Sequence, residues 1–119
     1  MVVTTAMRKY RNEPTVVDGI RFDSKAEAMR WQELRLLERA HEISDLQRQV
    51  PFKLIPTCKT RKGKTVYGTT YLADFVYKDR QGRQVVEDVK GIKTDVYKLK
   101  CKLMLWLYGI EIQEVTQCR

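Results

Sequence analysis

Two stretches in the middle of the chain, 71–78 (YLADFVYK) and 83–90 (RQVVEDVK), alternate apolar and polar positions with period two. The four residues between them, Asp79-Arg80-Gln81-Gly82, are turn chemistry. The pattern predicts a hairpin. A three-residue loop, with Gly82 left-handed and a type I turn closed by a bulge, sets Asp79 opposite Arg83. Counting back along the strands then sets Asp74 opposite Asp88. A four-residue loop would set Asp74 opposite Glu87 instead. Alternation also puts Asp88 and Lys90 on one face of the strand, with Glu87 and Val89 on the other.

The flanking pattern supplies the other elements. Val17-Asp18-Gly19-Ile20 predicts a small hairpin leading into a helix over 24–42. On that helix Ala26, Met29, Leu36, Leu37 and Ala40 form the apolar stripe expected to be buried, and Glu27 falls off its edge beside Trp31 and Leu34. Residues 46–78 read as two long strands, 47–55 and 66–77, joined by a hairpin with Gly63 in its turn. A second helix over 94–108, with a stripe of Val96, Leu99, Leu103, Trp106 and Leu107, ends at Gly109. A last strand over 110–115 follows, and strand, helix, strand in that order predicts a parallel crossover onto 84–90. The expected class is α/β, more closely an α+β mixed sheet, with residues 15–119 as one domain. Residues 1–14 are expected to be a flexible arm, or an arm lent to the partner subunit of a homodimer.

Composition narrows the chemistry. At 119 residues and 43% hydrophobic content the chain supports a single core. No apolar run is long enough to cross a bilayer, and MVVTTAMRKYRN has no apolar stretch of secretory type, so no membrane partner and a cytoplasmic location are expected. Cys58, Cys101 and Cys118 are an odd number without metal-ligand spacing, which suits a reducing compartment. His41 is the sole histidine, so sites built on several histidines are excluded and any metal must be held by oxygen, which points to Mg²⁺ or Mn²⁺. No glycine-rich nucleotide loop is present, and no nucleotide cofactor is expected.

A formal net charge of +8 points to an anionic partner, taken to be DNA. The basic residues gather in Arg8-Lys9-Tyr10-Arg11, in Lys59 to Lys64 at the hairpin turn, and in Lys93, Lys98, Lys100 and Lys102. Arg61, Lys62, Lys64, Lys93, Lys98 and Lys100 are the expected phosphate contacts, giving affinity without sequence preference. Lysine clusters are more often plain solvated surface, which suffices for Lys98 and Lys102. Tyr97 and Tyr10 are weaker candidates for contact with DNA.

The opposed pair Asp74 and Asp88 carries the chemistry. Like charges directly across a strand pair destabilise it and need compensation. Lys90 supplies part of that, and a divalent cation would supply the rest, since Mg²⁺ is typically held by one or two carboxylates plus phosphate oxygens and water. The bland alternative is an exposed hairpin with a surface ion pair between Asp88 and Lys90, worth at most about 1 kcal/mol. Glu27 divides in the same way: Ser24-Lys25-Ala26-Glu27 is a capping box, which needs no further role.

The run VDGIRFDSKAEAMRWQELRLLERAHEISDLQRQVPFKLIP, then TYLADFVY, then VVEDVKGIKTDVYKLKCKLM, resembles a family of small phage and prophage proteins catalogued as a domain of unknown function and assigned to the PD-(D/E)XK nuclease superfamily. The resemblance runs from about Val16 to about Val115. It implies an α-β-β-β-α-β nuclease core, the restriction-endonuclease-like arrangement, similar in layout to phage junction-resolving endonuclease I and to transposon-end-cutting nucleases. By that resemblance Asp74 and Asp88 are the metal-binding acids, Lys90 the catalytic lysine and Glu27 an acid on the first helix. Ala73 stands where the motif's proline would be.

With the resemblance added, the expected function is Mg²⁺-dependent hydrolysis of DNA phosphodiester bonds. Asp74, Asp88, the Val89 carbonyl and Glu27 are the expected metal ligands, and the products would be a 5′-phosphate and a 3′-hydroxyl. Structure-selective cutting of branched or junction DNA in phage recombination or replication is one version. A nuclease of ends or single strands is another, and a catalytically inactive basic module on the same fold is a third.

Overall fold

The turn at Asp79 sets the architecture. In the computed structural model, which describes residues 14–89 and 93–116, the Asp79 amide donates to the Arg83 carbonyl and the Gly82 amide to the Asp79 carbonyl, both at 2.9 Å. Gly82 has φ of 80°, as a bulge-closed type I turn requires. The Asp79 side chain fixes the loop further, its Oδ1 accepting from the amides of Gln81 and Arg83 at 2.9 Å each. The three-residue loop is therefore the one adopted. The flanking strands, β6 (Thr69–Lys78) and β7 (Gln84–Val89), pair antiparallel with Lys78 across from Gln84 and Phe75 across from Glu87.

The remaining elements in chain order are β1 (Thr15–Val17), β2 (Ile20–Phe22), α1 (Lys25–Arg39), β3 (Ser44–Ile55), β4 (Cys58–Lys59), β5 (Thr65–Val66), α2 (Asp95–Tyr108) and β8 (Gln113–Val115). The central sheet has the order β3-β6-β7-β8, antiparallel except for the parallel last pair, in which Asp88 lies beside Glu114. The described residues form a mixed α+β sheet with two helices. The β1–β2 hairpin turns at Asp18 and Gly19, both at positive φ. At the far end β4 and β5 form a separate two-stranded tip, closed by the Gly63 amide on the Thr60 carbonyl. Arg61, Lys62 and Lys64 are exposed there. The tip is separated from β6 at Gly68, whose amide donates to Thr57 Oγ1 at 3.0 Å.

Each face of the sheet carries one core. On one side Phe22, Ala28, Trp31, Leu34, Ile43, Phe75 and Tyr77 pack together; on the other, Leu54, Tyr71, Ala73, Val76, Val86, Tyr97 and Met104. Both helices are rotated from the orientation their apolar spacing predicts. α1 buries Ala28, Trp31 and Leu34, while Met29, Leu36 and Leu37 are exposed. The aromatic ring decides this: Trp31 packs between Phe22, tilted at 6.0 Å, and Phe75, stacked at 6.2 Å, and its contact outweighs that of two leucines. α2 buries Tyr97 and Met104 and leaves Val96, Leu99, Trp106 and Leu107 outward. Here the Tyr97 and Tyr108 hydroxyls find acceptors on the sheet, Glu114 at 2.9 Å and the Lys53 carbonyl at 2.6 Å.

α1 starts where the capping box places it, with Ser24 Oγ accepting from the Glu27 amide at 3.2 Å. It ends three residues earlier than the spacing suggests, at Arg39 with Ala40 as its cap, and His41 follows at φ of 61°. α2 is capped by Thr94 and stopped by Gly109 at φ of 68°. Residues 1–13, including most of the expected arm and the first basic cluster, lie outside the described residues. No helix among the described residues is long and apolar enough to cross a membrane.

Candidate functional site

The paired register brings the two predicted acids together. Continuing one step from the pair Phe75 and Glu87 sets Asp74 across from Asp88. The Asp74 carboxylate reaches over the pair, Oδ2 accepting from the Val89 amide at 2.8 Å. Asp88 is only 4% exposed and its Oδ1 accepts from the Tyr71 hydroxyl at 3.0 Å. Burial and the charges of Asp88 and Asp74 push the Tyr71 phenol well above its ordinary range, so the hydroxyl stays protonated and donates. The Tyr71 phenol thus donates to one carboxylate and feels the charge of the other, and each acid has an oxygen held by a protein donor.

Tyr71 reaches this site because β6 changes phase. Tyr71 and Ala73 share a core with Val76, whereas Phe75 and Tyr77 belong to the opposite face. Strict alternation cannot place positions 73 and 76 on one side, so the strand turns between them, at Asp74. The neighbouring strand is irregular at the same level: Gln49, between the pairs Arg48–Phe75 and Val50–Ala73, has φ of 54°. Such a local break is how a strand re-aims side chains beside a functional site.

A third acid lies in the same row. The parallel pairing of β7 with β8 puts Glu114 beside Asp88, and Glu114 is held by the Tyr97 hydroxyl at 2.9 Å and by Lys93 Nζ at 2.8 Å. Burial first, then Cys101, Glu114 and the Asp88 charge, raises the Tyr97 phenol well above its usual value, and the contact with Glu114 raises Lys93. Neither Glu114 nor Tyr71 was singled out from the sequence as part of the site. For Glu114 the signal was present in EIQEV, once a parallel register against EDV is drawn.

Glu87, the neighbour of Asp88, faces the opposite core at 2% exposure. There it accepts from Arg30 twice, Nε to Oε1 at 2.9 Å and Nη2 to Oε2 at 2.7 Å, and from the Tyr77 hydroxyl. The bidentate ion pair is the first cause raising the Arg30 guanidinium, and burial first and Glu87 second raise the Tyr77 phenol. Two consecutive acids are therefore sorted to opposite faces, one clamped by a guanidinium and one turned to Asp74. A bidentate pair of this geometry fixes the register of β7 as well as its depth.

The other expected site residues divide. Glu27 sits half-buried in the first turn of α1 with its amide on the Ser24 cap. Lys90 lies outside the described residues, while Val89, before it, ends β7. Of the expected phosphate contacts, Arg61, Lys62 and Lys64 are exposed on the β4–β5 tip, Lys98 is exposed on α2, Lys100 is half-buried, and Lys93 is engaged by Glu114.

Among the described residues no group of three or more His, Cys, Asp or Glu side chains is arranged to hold a metal ion. Asp74 and Asp88 alone are a hard-oxygen donor pair, the number Mg²⁺ uses when water and substrate phosphate complete its shell. They do not form the closed cage that a structural ion takes.

The profile of a family described as a protein of unknown function, DUF1064, matches residues 7–118. No curated protein matches the chain.

Proposed function

This chain belongs to that family, and from that premise we propose that it is a metal-dependent DNA nuclease of the PD-(D/E)XK kind, with Asp74 and Asp88 at its centre. The observation that carries the proposal is the pair of buried and half-buried carboxylates beside Tyr71, Asp88 held by its hydroxyl and Asp74 by the Val89 amide, on a hairpin whose loop is set by Asp79. Opposed anions at a half-buried sheet position are unfavourable in a merely structural hairpin and useful where a cation must be held. The mixed sheet, with its last strand parallel, supports the same reading.

Mg²⁺, with Mn²⁺ as a substitute, would be held by Asp74 and Asp88, with the Val89 carbonyl and Glu27 as further candidates. Bound there it supplies Lewis acidity toward the scissile phosphate and a lowered pKa for an attacking water. The protein's part is to hold the acids. The Val89 amide fixes Asp74 and the Tyr71 hydroxyl fixes Asp88, so neither carboxylate must be ordered when substrate arrives. Lys90, following Asp88 by two residues, would neutralise charge developing on the phosphate. Water adds to phosphorus and the bond to the 3′ oxygen breaks, leaving a 5′-phosphate and a 3′-hydroxyl that takes up a proton. The exposed cations of the β4–β5 tip would hold flanking phosphates, consistent with a +8 chain.

Purified protein incubated with junction, flap, duplex and single-stranded DNA, in Mg²⁺, Mn²⁺ or chelator, tests this. Cleavage that needs the metal is expected, with preference for junction or flap identifying a branched-DNA enzyme. Asp88→Ala is expected to lose cleavage by at least about 10³-fold while DNA binding persists, because it removes a metal ligand and not a phosphate contact. Cutting by that variant at the wild-type rate would refute the assignment.

A further inference from the structure

The outward side of α2 is the largest feature that the proposed site leaves unused. Val96, Leu99 and Trp106 are 62%, 55% and 79% exposed, and Leu107 is exposed beside them. Tyr97 and Met104, about a third of a turn round the helix, make its contact with the sheet, with Cys101 and Leu103 partly buried beside them. The helix is thus apolar over roughly 200° of its circumference, about twice the width one buried face needs. A tryptophan this exposed, at helical spacing from two exposed aliphatic residues, is a surface made to be covered.

The spacing says by what. Val96, Leu99, Leu103 and Trp106 recur at intervals of three, four and three, a series that reads the same in both directions. Two such helices placed antiparallel about a twofold axis set Val96 against Trp106 of the second copy, and Leu99 against its Leu103. Small then meets large at both ends and leucine meets leucine in the middle, the self-complementarity that an isologous contact demands. The exposed Val96, Leu99, Trp106 and Leu107, with the outer edge of the half-buried Leu103, offer roughly 500 Å² per copy, at ~150–250 Å² for the aromatic ring and less for each aliphatic one. Two copies with the stems of flanking lysines come to about 1,200 Å², the lower bound for a specific interface and the size of a reversible one.

We propose that α2 is the contact of a weak, reversible, twofold homodimer of this chain, closed by the stripe Val96, Leu99, Leu103 and Trp106. The proposal stands apart from the nuclease reading, since it uses none of the acids of the site. Lys98 and Lys102 flank the stripe and approach their counterparts across the axis, so added salt strengthens this association by screening them. Salt weakens DNA binding, and the opposite signs keep the two events distinct.

Sedimentation of the full chain from micromolar to near-millimolar concentration tests it. The mass is expected to rise from 14.1 kDa toward twice that value, more steeply in high salt, with a blue shift of Trp106 emission. Trp31 is buried and supplies a constant background. Leu99→Asp is expected to remain at the single-chain mass at every concentration with an unchanged far-ultraviolet circular dichroism spectrum. Wild-type protein that stays monomeric throughout overturns the proposal. So does a Leu99→Asp variant that associates like wild type, which would assign the dimer to another face. A monomer whose Trp106 emission shifts only when DNA is added overturns it too, by making the stripe a nucleic-acid contact.

Discussion

Replacing Arg30 by methionine isolates the device that tells two neighbouring acids apart. Methionine keeps most of the aliphatic stem but leaves Glu87, at 2% exposure, without its guanidinium partner. Two charge-assisted hydrogen bonds disappear, at 2.9 and 2.7 Å. Breaking a buried ion pair by removing one member costs about 3–5 kcal/mol. The lower end applies here, because the Tyr77 hydroxyl still donates to the carboxylate and the Arg30 side chain is 23% exposed, so water can reach the gap. A loss of about 3 kcal/mol corresponds to a fall in Tm of roughly 12 °C for a domain of this size. Urea unfolding followed by circular dichroism, with the slope checked for constancy, reads it directly. Arg30→Met/Glu87→Gln removes the stranded charge while leaving Tyr77 an acceptor, and is expected to recover about half of the loss. A single variant within about 1 kcal/mol of wild type, or a double variant no more stable than the single, would show that the clamp is surface decoration.

Two further outcomes follow from the same geometry. Tyr71, Tyr77 and Tyr97 all have phenols raised by burial and by neighbouring carboxylates. Each folded pKa lies above its unfolded value of about 10, so the associated stability is complete below that pH and is lost as pH rises past it. An ultraviolet phenolate titration should therefore show these three ionising together with unfolding; three independent titrations with the fold intact would contradict the burial. Gly68→Ala places a Cβ 2.0 Å from the Ile55 carbonyl oxygen and 2.9 Å from the Thr57 amide nitrogen. The backbone must shift, at a cost of about 1–3 kcal/mol read as a lower urea midpoint, and an unchanged midpoint would mean that the crossing of the two segments is looser than described.

The hairpin was legible because its turn is local. Asp79 and Gly82 determine the loop by hydrogen bonds within five residues, and the opposition of Asp74 and Asp88 is then arithmetic. Helix limits followed equally from caps at Ser24, Thr94 and Gly109. Helix orientation did not, because it is decided by partners distant in sequence. Trp31 outcompetes Leu36 and Leu37 through rings at 22 and 75, and Tyr97 outcompetes Val96 through an acid at 114. Tyr71 was hidden for a further reason: simple alternation puts it on the face away from Asp74, and only the change of phase in β6 brings its hydroxyl round. Arg30 and Glu87 are 57 residues apart, and no periodicity links them.

The three-residue loop after Asp79 is a ruler as well as a turn. Glu87 and Asp88 are consecutive, so inserting one residue between Asp79 and Arg83, with the loop kept at three, could leave the strands paired and yet exchange the two acids. The chain would present glutamate to Asp74 and aspartate to Arg30, with side chains of the wrong reach in both places. Loop length therefore decides which acid faces Asp74, and a one-residue change in it alters the acidic pair as well as the turn.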